Sequence, residues 1–301
     1  MNWFVPTAIG LALAACTDAS GPPVAPAWMS KIDDGRLLSE LSIPGTHESA
    51  SLYEVIPGSS RDQTLTLDQQ LDAGVRYFDI RCRHLGDGFD LYHGPLFERQ
   101  TFAQVVETFS AFLDSHPTEA AVMSIKEESV ADNTMLTFEQ VFATYVALDP
   151  ARWYLGGAVP ALGDVRGKIV LVRRFVAETS PLGLDASDWP DNATFSITTP
   201  QASLRVQDAF KVTSNESKWM AIEALLAEAR DAGPSTLFLN YTSGFQTLSG
   251  IPNTPSVAME INLDLDAFLA DPANAHAHLG VLAMDLVEKS RVAAVAATNQ
   301  P

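Results

Sequence analysis

Residues 75–83 read VRYFDIRCR. In an extended strand, side chains two apart share a face. Tyr77, Asp79 and Arg81 therefore point one way, and Phe78, Ile80 and Cys82 the other. The second set is apolar and suits the layer between a sheet and its helices. The first set then faces the interior of a sheet-lined core. A carboxylate and a guanidinium side by side there are costly unless they pair and meet a ligand, the bland alternative being a structural ion pair.

Similar runs recur along the chain. Strands are expected at 39–43, 75–83, 89–93, 121–127, 168–175, 203–210, 236–242 and 280–286, with helices at 64–73, 101–115, 137–148, 215–231, 263–271 and 286–296. Strands alternating with helical patterns, with no composition break over 28–301, predict one α/β domain, a barrel rather than two domains. Ionisable residues gather at the strands' C-terminal ends. The first strand runs into His47-Glu48, the second carries Asp79 and Arg81, and the third ends at His93. Lys126, Glu127 and Glu128 end the fourth, Arg173 and Arg174 the fifth, Asp208 the sixth, and Asp285 the eighth. Active sites of parallel α/β barrels lie on that face.

His47 follows Pro44-Gly45-Thr46 and His93 precedes Gly94-Pro95. Both read as tight exits from strands. Two histidines at two strand ends form a natural general base and general acid, since imidazole titrates near neutral pH. His84, His116, His276 and His278 are expected to be structural or merely exposed. Arg81 offers a planar donor fork suited to phosphate. Between two histidines it suggests an anionic transition state at phosphorus. Glu48, Asp79, Glu127 and Asp208 could supply a metal site; the arginine in their midst argues against one.

The 301 residues are 47% hydrophobic with a net charge of −18. That field disfavours nucleic acid as a partner and offers no polybasic handle for anionic lipid. The two cysteines, Cys16 and Cys82, form neither a disulfide scaffold nor a CxxC metal site. Cys82, on the outward face of its strand, is expected to be a small buried hydrophobe.

Residues 3–15, WFVPTAIGLALAA, are too short an apolar run to span a bilayer. They end at Cys16 in a pattern like a bacterial lipobox, so residues 1–15 are expected to be a lipoprotein-type signal peptide and Cys16 a lipidated N-terminus. No Lys or Arg precedes Cys16, and an ordinary signal peptide is the alternative. Residues 16–27 have a Pro/Ala/Gly-rich linker composition, and the folded part is expected from about Trp28. Either way the mature chain is expected outside the cytoplasm, as a monomer.

Seven segments in order resemble the bacterial phosphatidylinositol-specific phospholipase C family: 42–49 (SIPGTHES), 75–83, 91–97 (LYHGPLF), 122–127 (VMSIKE), 163–175 (GDVRGKIVLVRRF), 205–212 (RVQDAFKV) and 280–286 (GVLAMDL). The resemblance implies a distorted TIM-type barrel that cleaves phosphatidylinositol, or a related inositol phosphodiester, without metal or other cofactor. His47 matches the general base, His93 the general acid, and Arg81 the arginine that stabilises the phosphorane oxygens. Asp285 matches the carboxylate that hydrogen-bonds the base. Asp79 would orient Arg81 or support the acid. Lys126, Arg174 and Asp208 match residues that bind inositol hydroxyls, and Trp189 an aromatic wall of the pocket.

Three positions depart from the pattern. Glu48 stands where the family usually has Asp, and Phe210 where it often has a tyrosine. The exposed tryptophans by which some relatives enter membranes have no match; Tyr53, Val55, Ile56 and Phe245 are the apolar candidates for peripheral membrane contact. Calcium-dependent members carry an acidic residue where Arg81 stands. A metal-dependent glycerophosphodiester phosphodiesterase and a non-catalytic inositol-phosphate-binding lipoprotein are the alternative functions.

Overall fold

The computed structural model describes residues 26–300; the expected signal peptide and Cys16 lie outside them. The strands are β1 (Ile43–Thr46), β2 (Tyr77–Leu85), β3 (Gly88–His93), β4 (Leu96–Thr101), β5 (Ala121–Asp132), β6 (Trp153–Tyr154), β7 (Ile169–Arg174), β8 (Leu184–Asp185), β9 (Ala193–Thr198), β10 (Ser203–Asp208), β11 (Thr236–Tyr241), β12 (Gln246–Leu248), β13 (Ile251–Asn253) and β14 (Val281–Met284). The helices are α1 (Leu67–Ala73), α2 (Phe102–Ser115), α3 (Phe138–Leu148), α4 (Leu162–Val165), α5 (Asn215–Asp231), α6 (Pro255–Ala270) and α7 (Lys289–Ala297).

The main sheet runs β6-β7-β5-β2-β1-β14-β11-β10-β9. Every neighbouring pair in it is parallel except β10–β9. No ladder among the described residues joins β9 to β8, so the sheet curls without closing along that seam. The architecture is a distorted TIM-type barrel.

Alternation sorts the side chains into two layers. Tyr77, Val122, Val170, Val172, Val206 and Tyr241 fill the inside of the curl. Phe78, Ile80, Cys82, Met123 and Ile125 pack outward against Val105 and Phe109 of α2. Cys82 is free and fully buried there.

Several expected boundaries are corrected. The first strand is Ile43–Thr46, and Leu38–Glu40 is a short 3-10 turn. Pro44 and Gly45 are thus inside the strand rather than its exit. Gly45 is required by close approach: a Cβ would lie 2.9 Å from Tyr77 Cβ and 3.1 Å from the Leu282 carbonyl. The strand ending at His93 is no parallel barrel strand. It pairs antiparallel with β2, which runs on past the rim to Leu85, and continues antiparallel into β4. His93 therefore returns to the rim on a hairpin. Helix α6 starts at Pro255, well before 263, because proline at the first helical turn forfeits no intrahelical bond.

Replacing Gly45 by Ala forces β1 away from β2 and β14. A loss of about 1–3 kcal/mol is expected from such overpacking, read by urea unfolding. An unchanged midpoint and slope would show that the strands part freely at this point.

Candidate active site

The exits of β1, β2, β5, β7, β10 and β14 converge on one cavity of about 270 Å³ at the C-terminal rim. His47, Glu48, Arg81, His93, Lys126, Arg174, Trp189, Asp208, Phe210 and Asp285 line it. Asp79 lies beneath, 1% exposed. The catalytic and substrate-binding residues expected within the described residues thus fall in or directly under one cavity, whereas Glu127, offered as a metal ligand, does not line it. The remaining histidines do not line it.

His47 sits just beyond β1, its N–H donating to the Met284 carbonyl at 3.0 Å. Its Nδ1 is 2.8 Å from Asp285 Oδ1, and its Nε2 accepts from Arg81 Nη2 at 3.0 Å. The ring therefore carries its proton on Nδ1 and presents a lone pair at Nε2. Burial lowers the pKa of His47, but the Asp285 carboxylate outweighs it and pushes the value up to about 9. The two influences oppose each other: the carboxylate favours imidazolium, whereas the Arg81 contact exists only with the neutral ring. The geometry is that of the neutral ring. Asp285 is held in turn, its Oδ2 accepting from Gly244 N–H at 3.2 Å and its carbonyl from Asn262 Nδ2 at 3.0 Å.

Arg81 is the hub. Its Nη2 donates to Asp79 Oδ2 at 3.1 Å, and its Nη1 pairs with Glu48 Oε1. Burial works against its charge, but Glu48 and Asp79 raise its pKa well above the ordinary value. Asp79 reaches the other way to Arg174 Nη1 at 3.3 Å. Burial raises the pKa of Asp79, but the two guanidiniums prevail and hold it well below the usual range.

His93 donates from Nδ1 to the Ser60 carbonyl at 2.9 Å, which leaves Nε2 facing the cavity. Glu48 Oε1 is 3.8 Å from that Nε2. Burial lowers the pKa of His93, while Glu48 and Asp62 raise it further, so the net shift is upward. The longer Glu48 side chain thus pairs with Arg81 and stands only loosely at His93. Glu48 also adopts φ 41°, a left-handed backbone unusual outside glycine.

Opposite the histidines, Arg174 lies over the Trp189 ring at 3.9 Å, and Trp189 Nε1 donates to Asp208 Oδ2 at 3.0 Å. Lys126 Nζ donates to Glu128 Oε2 at 2.9 Å. Exposed Val55, Ile56, Leu248 and Ile251 belong to two segments that meet where Thr254 N–H donates to the Gly58 carbonyl. Ser59, Pro252 and Thr254 of those segments line the cavity, so the apolar residues flank its mouth. Of the membrane candidates, Val55 and Ile56 are exposed, Phe245 lines the cavity, and Tyr53 lies under Arg99.

Several contributors escaped sequence reasoning: Gln63 and Asp62 lie off the strand ends, and Tyr241, the last residue of β11, carries no charge to mark it. Gln63 donates from Nε2 to the carbonyls of His47 and Met284, both at 2.8 Å, and so locks the exits of β1 and β14 together. Tyr241 closes the base of the pocket through its 2.7 Å hydrogen bond with Tyr77. Asp62 is buried between the two histidines. His47, Asp62 and Asp285 bring donor atoms within 4.8 Å of one another. His47 Nδ1 is already committed to Asp285, and a guanidinium occupies its other nitrogen, so we do not read this cluster as a metal site.

Comparisons with known proteins show which relatives share this sequence and fold. The sequence profile described as "Phosphatidylinositol-specific phospholipase C, X domain" matches residues 37–175. A 1-phosphatidylinositol phosphodiesterase of Staphylococcus aureus (strain Newman) is 33% identical over 86% of this chain and 87% of its own length. One of Listeria monocytogenes is 29% identical over 91% and 84%. Among solved structures, a pentafluoro-Phe-containing phosphatidylinositol-specific phospholipase C from S. aureus superposes with a TM-score of 0.84 at 29% identity, over 92% of this chain and 98% of that one. The enzyme from L. monocytogenes superposes with a TM-score of 0.77 at 27% identity, over 92% and 99%. With a relative this similar along nearly its whole length, and with the fold shared throughout, the chain belongs to the bacterial phosphatidylinositol-specific phospholipase C family.

Proposed function

We propose that the protein cleaves phosphatidylinositol to diacylglycerol and inositol 1,2-cyclic phosphate, using paired imidazoles and an arginine rather than a metal ion. The observation that carries this reading is the placement of Arg81 between the cavity-facing nitrogens of two histidines. Arg81 contacts His47 Nε2 directly, and Glu48 bridges it towards His93 Nε2.

The phosphate enters against Arg81 and draws its donors away from His47 Nε2. His47 Nε2 takes the proton of the inositol 2-hydroxyl, whose oxygen attacks phosphorus. The bond from phosphorus to the glycerol oxygen breaks, and His93 Nε2–H delivers its proton to the departing alkoxide. Negative charge building on the phosphorane is met by a guanidinium whose position is set beforehand by Asp79 and Glu48, so little reorganisation is needed. Asp285 stabilises the imidazolium forming on His47. Lys126, Arg174 and Asp208 are suited to inositol hydroxyls, and Trp189 and Phe210 to the faces of the ring. The apolar residues flanking the mouth favour contact with a lipid surface. Membrane binding by the S. aureus phosphatidylinositol-specific phospholipase C, whose solved structure shares this fold, supports the same assignment.

Incubation with phosphatidylinositol in excess EDTA should yield inositol 1,2-cyclic phosphate by phosphorus NMR. Loss of turnover on chelation, restored by Ca²⁺ or Mg²⁺, would instead favour the metal-dependent phosphodiesterase reading. Tight inositol-phosphate binding with no turnover would favour the binding protein. His47→Ala and His93→Ala should each lower kcat by roughly 10²–10⁴-fold, the usual contribution of a positioned acid or base; near-normal turnover in either removes that residue from the mechanism.

The base must be unprotonated, so kcat/KM rises as pH climbs through the pKa of His47. Asp285 holds that value above the ordinary one. Asp285→Asn should therefore move the acidic limb of the profile to lower pH while the maximal rate falls, because the ring loses the acceptor that fixes its tautomer. A limb that stays in place would show that Asp285 does not set the basicity of His47.

A further inference from the structure

Asp62 has no task in the mechanism above. It belongs to the segment between β1 and α1 and is 2% exposed. Its N–H donates to the Ser51 carbonyl at 3.2 Å, and its carbonyl accepts from Leu286 N–H at 2.7 Å, so its backbone is pinned between two loops of the site. Its Oδ2 makes no hydrogen bond of good geometry, yet lies 3.3 Å from His93 Nδ1. A buried carboxylate without a partner is costly. The side chain placed to relieve that cost is the imidazole of His93.

The groups around this pair can be named from each side. Asp62 faces His93, His47, Asp285 and Glu48. His93 faces Glu48, Asp62, Arg81 and the Ser60 carbonyl. Glu48 cannot orient His93 from behind. It is paired with Arg81 and stands on the Nε2 side, where the leaving oxygen must come. Arg81 opposes a positive charge on His93. Asp62 alone among these side chains offers a carboxylate on the Nδ1 side.

We propose that Asp62 is the positioning residue of the acid histidine, facing Nδ1 of His93 as Asp285 faces Nδ1 of His47. Each imidazole of the catalytic pair is then backed by its own buried aspartate. The role rests on the phospholipase reading and deepens it. The Nδ1 proton of His93 goes to the Ser60 carbonyl, with Ser51 Oγ also 3.2 Å away, which keeps Nε2 turned towards the cavity; Asp62, 3.3 Å from Nδ1, acts by its charge and favours the charged ring that the acid must be before reaction. Burial and the nearby Asp285 push the pKa of Asp62 up to about 7, while His93 and His47 hold it down.

The first test needs no substrate. In the wild-type protein, the Asp62 carboxyl carbon and the His93 ring, followed by NMR with labelled Asp and His, should share inflections as a coupled pair; independent titrations overturn the proposal. In Asp62→Asn the pKa of His93 should fall, and by more than that of His47. No change, or an equal change in both rings, overturns it.

The second test separates positioning from mere structure. Phosphatidylinositol has an alkoxide leaving group that needs a proton, whereas an inositol phosphate ester of 4-nitrophenol does not. Asp62→Asn should lose roughly tenfold or more in kcat on the lipid, part of the roughly 10²–10⁴-fold of a general acid, and little on the nitrophenyl ester. The basic limb of its pH profile should move to lower pH. Equal losses on both substrates would show a structural role. A wild-type protein inactive on both would sink the phospholipase reading, while the NMR titration still decides the place of Asp62.

Discussion

A buried carboxylate between two guanidiniums organises this rim. Asp79 takes Arg81 with one oxygen and Arg174 with the other. Without it, two cations would face each other in a cavity with little water to screen them. With it, the donors of Arg81 are aimed at the place where a phosphate must sit. Breaking such a pair by removing one partner leaves the other charge stranded, which is far worse than never burying either. Asp79 is therefore a condition for the arginine being there at all. That agrees with its position one alternate residue below Arg81 on the same strand.

The fold supplies the remaining parts from separate directions. Parallel strands bring His47, Arg81, Lys126, Arg174, Asp208 and Asp285 to one rim, because each strand of a parallel sheet ends on the same side. His93 arrives otherwise, on a strand that turns back from the overrun of β2. Two independent supports for the two histidines let their environments differ. His47 is fixed by the barrel and by the Gln63 clamp across β1 and β14. His93 is held by the Ser60 carbonyl of a loop off the barrel. The two imidazoles are thus held from different directions.

This division decides what was legible in the sequence. Strand alternation told which face of 75–83 looked inward, and ionisable residues at strand ends marked the rim; Trp189 and Phe210 were legible only through the family resemblance. The hairpin was not legible: 89–93 has the same composition whether it runs parallel or antiparallel. Gly45 was misplaced because a glycine demanded by a neighbouring side chain looks the same in sequence as one that makes a turn. Asp62 and Gln63 carry no strand-end signature. They sit in a connecting segment, and only the meeting of that segment with the β14 exit gives them meaning. The start of α6 was not legible either: Pro255 opens the helix, and the Asn253 side chain accepts from Ser256 N–H beside it.

The charge distribution adds a last constraint. A chain with a net charge of −18 repels anionic surfaces at long range. At physiological salt that repulsion fades over about 8 Å. Arg81, Arg174 and Lys126 all line the cavity. An anionic phosphodiester gains nothing from these cations until it has entered. Capture must then depend on short-range fit: the apolar flank of the mouth, the aromatic walls of Trp189 and Phe210, and the preset fork of Arg81. A site built in this way discriminates by shape and hydrogen bonding rather than by charge alone. An enzyme that must select one headgroup from a surface crowded with other phosphates requires that form of recognition.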